Sequence, residues 1–361
     1  MTLLQFRPPP STEDPESDTP NRRRPVTKAD AMEAGYAALA AVVGAGLLRV
    51  VFGWTGVMGT AVTAYLLFLV AFYLLQRDGA SDESAIDRLV TVAIWSAGCM
   101  VVALLVWMLG FLLIKGLPDL RPSFFTEDLK GHGPLNPGGG ARAAIIGTFE
   151  QVGLATLVVV PIAVMTAIYL HELKGRLARP TRFIIDAMSG LPSIVAGLLV
   201  FTVWVESHGF SGVSGSAALV VLMLPTVTRT SEEILRTIPD SLREASLALG
   251  APQWRVIVRV VLPTALAGLV TAVILGIARA VGETAPMLLT AFGSNNTNVN
   301  ILHGPQSDLP LFAYSLIRLP SKAQNDRAWT GALVLVILVL VLFVTARLVS
   351  NLSQRKLGRG R

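Results

Sequence analysis

Charged residues are scarce in this chain: Asp, Glu, Lys and Arg make up 15% of its 361 residues, whereas a typical soluble domain contains about 25%. Hydrophobic residues make up 52% of the sequence, and the mean hydropathy is +0.60. A single cysteine, Cys99, excludes an intrachain disulfide, and the few histidines lack the HExxH spacing of a zinc enzyme. The composition therefore predicts no metal site and favours a protein whose solvent is lipid.

Long apolar runs dominate the sequence, and several reach the roughly 20 residues that a helix needs to cross a bilayer. We place eight predicted spans at residues 33–52, 56–75, 89–115, 143–170, 183–205, 213–228, 261–291 and 328–350. They lack the roughly ten-residue alternation of β-barrel strands. Gly, Ala and Pro recur within them, as in helices that pack closely in lipid. The sequence therefore predicts an all-α polytopic membrane protein.

Lys and Arg residues concentrate in alternate loops. They are frequent after spans two, four and six and in the C-terminal tail, whereas the short loops 53–55 and 206–212 contain none. By the positive-inside rule, this pattern places both termini in the cytoplasm. The net charge of +6 thus indicates membrane orientation. We expect no nucleic-acid partner, because the basic residues do not form the single basic face typical of one.

The composition divides the chain into four parts. Residues 1–30, rich in Pro and in charges of both signs, predict a disordered cytoplasmic tail. Residues 31–88 predict an N-terminal transmembrane hairpin, and residues 89–350 a six-span unit that carries every unusual motif. We assign residues 351–361 to a basic cytoplasmic tail.

The segment between spans six and seven has the pattern of a helix rather than that of a simple connection. Leu242, Ala245 and Leu249 fall on one apolar stripe. Pro239 suits the start of a helix and Gly250 its C-terminal stop. We therefore predict a short amphipathic helix over about 239–250. Such a helix either rests on lipid headgroups or fits a groove on a cytoplasmic partner.

This segment resembles the EAA loop of ABC importer permeases. Glu244-Ala245-Ser246 is followed after three residues by Gly250, and after nine more by Val260-Val261-Leu262-Pro263. The family's pattern is Glu-Ala-Ala, three residues, Gly, nine residues, Ile-x-Leu-Pro, from which Ser246 and Val260 depart conservatively. In the family this loop is the coupling helix that docks on the ATPase subunit. The resemblance implies that role for Glu244, Ala245, Ser246, Gly250, Leu262 and Pro263.

Three stretches narrow the resemblance. IPDSLREASLALGAPQW, GLPSIVAGLLVF and ARAVGETAP together resemble the PstA-type permeases of phosphate importers, over roughly residues 140–350. This resemblance implies a type I ABC importer permease fold in the bacterial cytoplasmic membrane, with residues 31–88 as two extra helices. It also implies phosphate as substrate, a PstC-type permease subunit that completes the pore, an ABC ATPase dimer, and an extracytoplasmic phosphate-binding protein.

No phosphate-binding loop of the form GxxxxGK[ST] occurs in the sequence. We therefore expect this chain to be no enzyme and to hold no cofactor, with ATP and Mg²⁺ bound by the partner ATPase. The chain would form half of the translocation pathway and couple it to that ATPase by alternating access. Three alternatives remain open: a permease for another oxyanion, an ion-gradient secondary transporter, and a membrane scaffold for phosphate sensing.

ARAVGETAP places two opposite charges inside predicted span seven. Arg279 and Glu283 are four residues apart, so a continuous helix puts them on one face, about 6 Å apart. A charge in the bilayer costs about 2.5–3.5 kcal/mol on insertion scales. The pair either fixes span seven against its neighbours or lines an anion path. In the second case Arg279 binds the oxyanion through its planar guanidinium, Glu283 orients Arg279 or switches partners during gating, and Thr284 adds a hydroxyl.

Two prolines predict interruptions of the spans. Pro192, between Ser189 and Ser193, predicts either a packing kink or backbone carbonyls exposed to a cavity. Pro286 predicts a break that frees a carbonyl near residue 282. Arg229, at the inner end of span six, is either an inside-positive anchor or a contact for an anion that leaves the pore.

Overall fold

The computed structural model describes residues 28–53, 56–77, 82–133 and 138–358, which form helices joined by loops. Within these ranges the one isolated β-bridge joins Phe292 to Gln306. The predicted all-α class is confirmed. Residues 1–27 of the predicted N-terminal tail and 359–361 of the C-terminal tail lie outside the described residues.

Residues 1–106 form the first of two compact units. Its described part contains α1 (Lys28–Phe52), α2 (Val57–Arg77) and the first portion of α3 (Asp82–Gly116). Ala37, Ala41 and Ala45, four residues apart along α1, are buried, and such small side chains let α1 and α2 pack closely. The remaining faces expose large apolar side chains, as lipid-facing helices do. The predicted boundary of the hairpin at residue 88 stays a prediction.

The second unit, residues 107–361, contains the rest of the helices. They are α4 (Pro122–Thr126), α5 (Arg142–Ile168), α6 (Ala178–Ser189), α7 (Ser193–Val200), α8 (Glu206–His208), α9 (Gly212–Arg236), α10 (Asp240–Ala248), α11 (Gln253–Val256), α12 (Leu262–Val281), α13 (Ala285–Thr290), α14 (Leu309–Ile317) and α15 (Lys322–Gly358). Single π-helical turns follow α5, α7 and α11, at Tyr169–Leu173, Phe201–Val205 and Ile257–Val261.

Helix α9 is the centre of the second unit. It packs against α5, α6, α7, α12 and α13, and its core-facing side chains Leu219, Met223 and Val227 are buried. Ser211 and Ser214 form a capping box at its start, so the first backbone N–H groups are satisfied. A buried central helix of this kind positions the residues of every neighbouring element.

Among the described residues, seven helices are long and apolar enough to cross a membrane, and α6 with α7 adds an eighth if the two count as one span. The predicted span over 183–205 is wrong as a continuous helix, because the chain bends by 106° between Ser189 and Ser193. Pro192 is the N-cap of α7, with φ −58° and ψ 139°. Because proline disfavours helical geometry in the residue before it and lacks an N–H of its own, α6 does not continue through Leu191 and Pro192.

Predicted span seven is also wrong at its C-terminal end. Residues 261–291 do not form one helix, because α12 ends at Val281 and α13 begins at Ala285. Pro286 lies in the first turn of α13, where its missing N–H costs nothing, whereas in a helix interior it would remove a backbone hydrogen bond. Arg279 therefore occupies the last turn of α12, and Glu283 and Thr284 lie in the break.

The two broken spans meet where α7 packs against α13. A Cβ atom added at Gly197 would lie 2.7 Å from Pro286 Cα, too close for any side chain. We expect Gly197→Ala to destabilise the protein by about 1–3 kcal/mol through overpacking. Gly153→Ala is the matched control, because a Cβ there meets nothing within 4 Å. Thermal unfolding in detergent measures both, and equal melting temperatures would contradict the close packing of α7 on α13.

The segment between α13 and α14 packs tightly onto α5. A Cβ atom on Gly147 would lie 1.9 Å from the carbonyl oxygen of Ser307. Gln151 Nε2 donates to Gln306 Oε1 at 2.8 Å, and Gln306 Nε2 donates to Asn298 O at 2.9 Å. This segment is therefore a folded part of the second unit, with side-chain hydrogen bonds that the apolar pattern does not reveal.

Asp308 ends that segment and gives the fold a pH dependence. Burial raises the pKa of its carboxyl to about 7, although the Leu311 N–H donates to it. Because the folded state binds the proton more tightly, stability is full below about pH 4 and falls as pH rises towards 7, by up to about 4 kcal/mol. Asp308→Asn keeps the helix cap and should flatten the melting temperature across this range. Equal slopes for the two proteins would contradict the assignment.

Candidate functional site

A cavity of about 210 Å³ lies where the bend between α6 and α7 meets α9 and the last turn of α12. It is lined by Met188, Ser189, Leu191, Leu222, Pro225, Thr226, Arg229, Thr230 and Arg279. The polar side chains are guanidinium and hydroxyl groups, and the described lining contains no Asp or Glu. Such a lining suits an anion that accepts several hydrogen bonds.

The α9 side of the cavity follows from helical spacing. Leu222, Thr226 and Thr230 follow one another at four-residue intervals, and Arg229 is three residues after Thr226, so the four lie along one side of α9. Thr226 Oγ1 lies 3.3 Å from the Leu222 carbonyl oxygen, and Thr230 Oγ1 donates to the Thr226 carbonyl at 2.9 Å. These backbone bonds fix the hydroxyl oxygens at the cavity wall.

Arg279 supplies the most accessible positive charge of the cavity. Its side chain is 56% exposed, and its Nη1 donates to Thr226 Oγ1 at 3.2 Å. Its Nε lies 3.9 Å from Glu283 Oε1, at the outer limit of an ion pair. The guanidinium therefore keeps most of its donors available for a ligand.

Arg229 is held more firmly by carboxylates. Its Nη1 lies 3.2 Å from Glu232 Oε2, and it also pairs with Asp186 on α6. Arg182 Nη2 reaches the other oxygen of Glu232 at 2.5 Å, so the buried Glu232 side chain bridges two arginines. This cluster holds α6 against α9 and fixes Arg229 beside the cavity.

The residues of α10 are turned away from the protein core. None of them is buried, Glu244 and Ala245 are exposed, and Leu249 is 90% exposed. Gly250 has φ +79°, a conformation that glycine adopts without strain, and it ends the helix as a C-terminal cap. The helix therefore presents an apolar stripe that no described part of the chain covers.

Arg243 fixes α10 to the membrane helices. Its Nη2 donates to Glu172 Oε1 at 2.8 Å and to the Leu235 carbonyl at 2.9 Å, and its Nη1 donates to the Ile238 carbonyl at 2.8 Å. The hydrogen bond to Glu172 is the main cause that raises the pKa of Arg243, so the guanidinium stays charged. Arg243 thus connects α10 to the π-helical turn after α5 and to the end of α9.

Comparison with known proteins assigns the chain to a family. A family model described as binding-protein-dependent transport system inner membrane component matches residues 159–359, more than half of the chain. The phosphate transport system permease protein PstA 1 of Mycobacterium tuberculosis (strain CDC 1551 / Oshkosh) is 43% identical over 256 residues, which are 70% of this chain and 84% of that protein. The chain belongs to the PstA-type permeases of this family. PstA of Pasteurella multocida is 38% identical over 68% of this chain and 87% of that protein.

Family membership confirms the predicted importer-permease fold and a multi-pass location in the bacterial cytoplasmic membrane. Among solved structures, an inward-facing form of the MetNI methionine ABC transporter has a TM-score of 0.48 and 21% identity. The aligned region covers 59% of this chain and 94% of the MetNI chain. The PstA-type relatives are permeases by name, so this chain is a transport subunit.

The predicted site residues of this permease fall into three groups. Arg279 and Ser189 line the cavity. The cavity is not lined by Glu283, Thr284, Pro192, Ser193 or Pro286. Glu283 Oε1 lies 3.9 Å from Arg279 Nε. Pro192 and Ser193 are at the start of α7, and Pro286 packs against Gly197. Glu244, Ala245, Ser246 and Gly250 lie on or beside α10, whereas Leu262 and Pro263 begin α12. Their roles stay predictions.

The cavity adds Thr226 and Thr230 to the predicted residues and brings Arg229 beside Arg279. The sequence left Arg229 between an anchor and an anion contact; the structure places it at the cavity and pairs it with Asp186 and Glu232, and both roles stay predictions. The signal for the two threonines was helical periodicity, because Thr226 and Thr230 are four residues apart and Thr226 is three residues before Arg229. That these threonines line a cavity with Arg279 depends on the position of α12, which the sequence does not reveal.

Proposed function

We propose that this permease forms half of the pathway through which an ATP-driven importer carries inorganic phosphate. Its relatives carry the name phosphate transport system permease protein. The observation that carries the proposal is the convergence of Arg229, Arg279 and three hydroxyl-bearing residues on one cavity. Phosphate is a tetrahedral anion with several acceptor oxygens, which a planar guanidinium can bind with paired hydrogen bonds.

Glu283 regulates Arg279 in this proposal. The 3.9 Å separation of their charged atoms is a weak contact, which an arriving phosphate can replace. With phosphate absent, Glu283 compensates the charge of Arg279, so the pair lowers the cost of an exposed charge at membrane depth. Thr284 flanks this exchange in the break between α12 and α13. Because Glu283 lies outside both helices, its side chain can turn away from the anion that would repel it.

Helix α10 is the coupling helix in this proposal. An ABC ATPase dimer binds ATP and Mg²⁺ and docks against Glu244, Ala245, Ser246 and Gly250, while this chain holds no cofactor. Support comes from the exposed stripe of α10 and from its firm attachment through Arg243. Leu262 and Pro263 continue from this region into α12, the helix that carries Arg279. A PstC-type subunit completes the pathway, and an extracytoplasmic phosphate-binding protein delivers the substrate.

Labelled phosphate uptake tests the substrate and the driving force together. Cells that lack this chain should lose high-affinity uptake, and expression of the chain should restore it. Unlabelled phosphate should compete, whereas an equal concentration of sulfate should not, and an ATPase subunit should co-purify with the chain. Equal competition by sulfate would indicate a permease for another oxyanion. Absence of an ATPase would indicate a secondary transporter, and unchanged uptake without the chain would leave only a sensing role.

Two substitutions in α10 test the coupling role. Glu244→Arg reverses a charge on the exposed face, and Gly250→Asp places a side chain at φ +79°. We expect both to lower uptake at least about tenfold while leaving the chain in the membrane. Gly209→Asp is the matched control, because Gly209 has φ +80° and equally open surroundings. Normal uptake with either α10 variant would exclude this helix from coupling.

A further inference from the structure

A second cavity, of about 450 Å³, lies beside the π-helical turn that ends the fourth span and the start of α6. It is lined by Leu170, Lys174, Gly175, Arg176, Ala178, Arg179 and Arg182. We call it the basic cavity. Among its described residues, Arg182 forms an ion pair with Glu232, whereas Lys174, Arg176 and Arg179 are exposed and form no ion pair with a described acid.

The loop that carries these cations is held in place. Leu177 N–H donates to the Tyr169 hydroxyl at 3.0 Å. The same ring lies so close to Gly175 that an added Cβ would be 2.7 Å from its hydroxyl oxygen. Lys174 ends the π-helical turn in a left-handed conformation, φ +48°. The cations are therefore presented by a folded loop, and little ordering is required when a ligand binds.

Helix α6 carries charged and exposed apolar side chains beside the basic cavity. Arg179, Arg182 and Asp186 are three or four residues apart and share one face, and Phe183, four residues after Arg179, lies beside them. Phe183 is 73% exposed and Leu177 67% exposed, although this helix adjoins the end of a membrane span. An amphipathic helix with basic residues and exposed aromatic side chains is typical of a bilayer interface, where it binds anionic lipid.

We propose that the basic cavity binds the phosphate group of an anionic phospholipid, with the acyl chains against Leu177 and Phe183. Lys174, Arg176 and Arg179 bind the headgroup phosphate, while Arg182 stays paired with Glu232. The cations of the cavity match the headgroup of a phospholipid, and the adjacent exposed apolar surface matches its acyl chains. A free anion would use only the cations. This inference does not depend on which substrate the permease carries.

Lipid binding to the full chain in mild detergent tests the proposal. Native mass spectrometry would count bound phosphatidylglycerol and phosphatidylcholine for the wild type and for Lys174→Gln/Arg176→Gln/Arg179→Gln. We expect the wild type to prefer phosphatidylglycerol, and the variant to bind it at least about tenfold more weakly. Arg236→Gln/Arg255→Gln/Arg259→Gln, which removes the same number of exposed charges elsewhere, should keep the preference. Arg176→Lys/Arg179→Lys retains both positive charges, so it should keep most of the preference for phosphatidylglycerol. Its binding shows whether the loop stays folded when these side chains are replaced.

Three outcomes would overturn the proposal. Equal binding of the two lipids by the wild type would mean that the cavity does not recognise an anionic headgroup. Equal losses in the two triple variants would assign the preference to net charge alone. Displacement of phosphatidylglycerol from the wild type by inorganic phosphate would assign the cavity to the free anion.

Discussion

Replacing Arg279 with Gln is expected to lower phosphate uptake about ten- to a hundredfold at equal membrane abundance, because hydrogen bonds from a charged group contribute about 1.5–3 kcal/mol each. Arg279 is the accessible cation of the cavity and is held by one hydrogen bond to Thr226 and a 3.9 Å contact with Glu283. Glutamine keeps a donor but loses the charge and the fork. The measurement is the initial rate of labelled phosphate uptake.

The controls for Arg279 separate a path residue from a structural one. Arg279→Lys keeps the charge without the fork, so it should retain an intermediate rate. Arg318→Gln removes an exposed arginine that stacks on Tyr314, outside the cavity, and should transport normally. If Arg279→Gln transports like the wild type, Arg279 only fixes the end of α12.

Replacing Arg243 with Ala is expected to separate ATP hydrolysis from transport. The side chain donates hydrogen bonds to Glu172 and to the carbonyl groups of Leu235 and Ile238, which attach α10 to two membrane helices. Its loss leaves the Glu172 side chain, 8% exposed, without its cation, at a cost of about 3–5 kcal/mol. We expect uptake to fall at least tenfold while ATPase activity of the purified complex persists, so the phosphate carried per ATP falls.

Two further variants distinguish lost coupling from general instability. Arg236→Ala removes an exposed arginine at the end of α9 and should leave both activities unchanged. Arg243→Gln combined with Glu172→Gln removes the unpaired charge but keeps hydrogen-bonding groups, so it should restore stability without full coupling. A normal ratio of phosphate to ATP in Arg243→Ala would contradict the role of Arg243 in fixing α10.

Most of the spans and helix α10 could be predicted because each depends on local sequence. A run of about 20 apolar residues has few solutions other than a membrane helix. The stripe that ends at Gly250 specifies α10 through its own spacing and its stop signal. In both cases the hydrophobic pattern and the residues at the ends agree, and the structure has helices there.

The breaks and the cavity could be predicted only in part. Pro192 and Pro286 indicated interruptions, but the 106° bend depends on how α7 packs against α13. The end of α12 at Val281 removed Arg279 and Glu283 from the helix interior where a continuous span would have put them. Arg229 and Arg279 are fifty residues apart in the sequence, and only the packing of α9 on α12 brings them to one cavity.

Cysteine accessibility in the cavity tests the central claim most directly. Because Cys99 is the single cysteine, Cys99→Ser gives a background in which Ser189→Cys places one thiol on the cavity wall. Ser207→Cys on exposed α8 is the control. In the assembled transporter, a negatively charged thiol reagent should modify residue 189, and phosphate should slow that reaction but not the reaction at residue 207. Modification of residue 189 at the same rate with and without phosphate would contradict a phosphate path through this cavity.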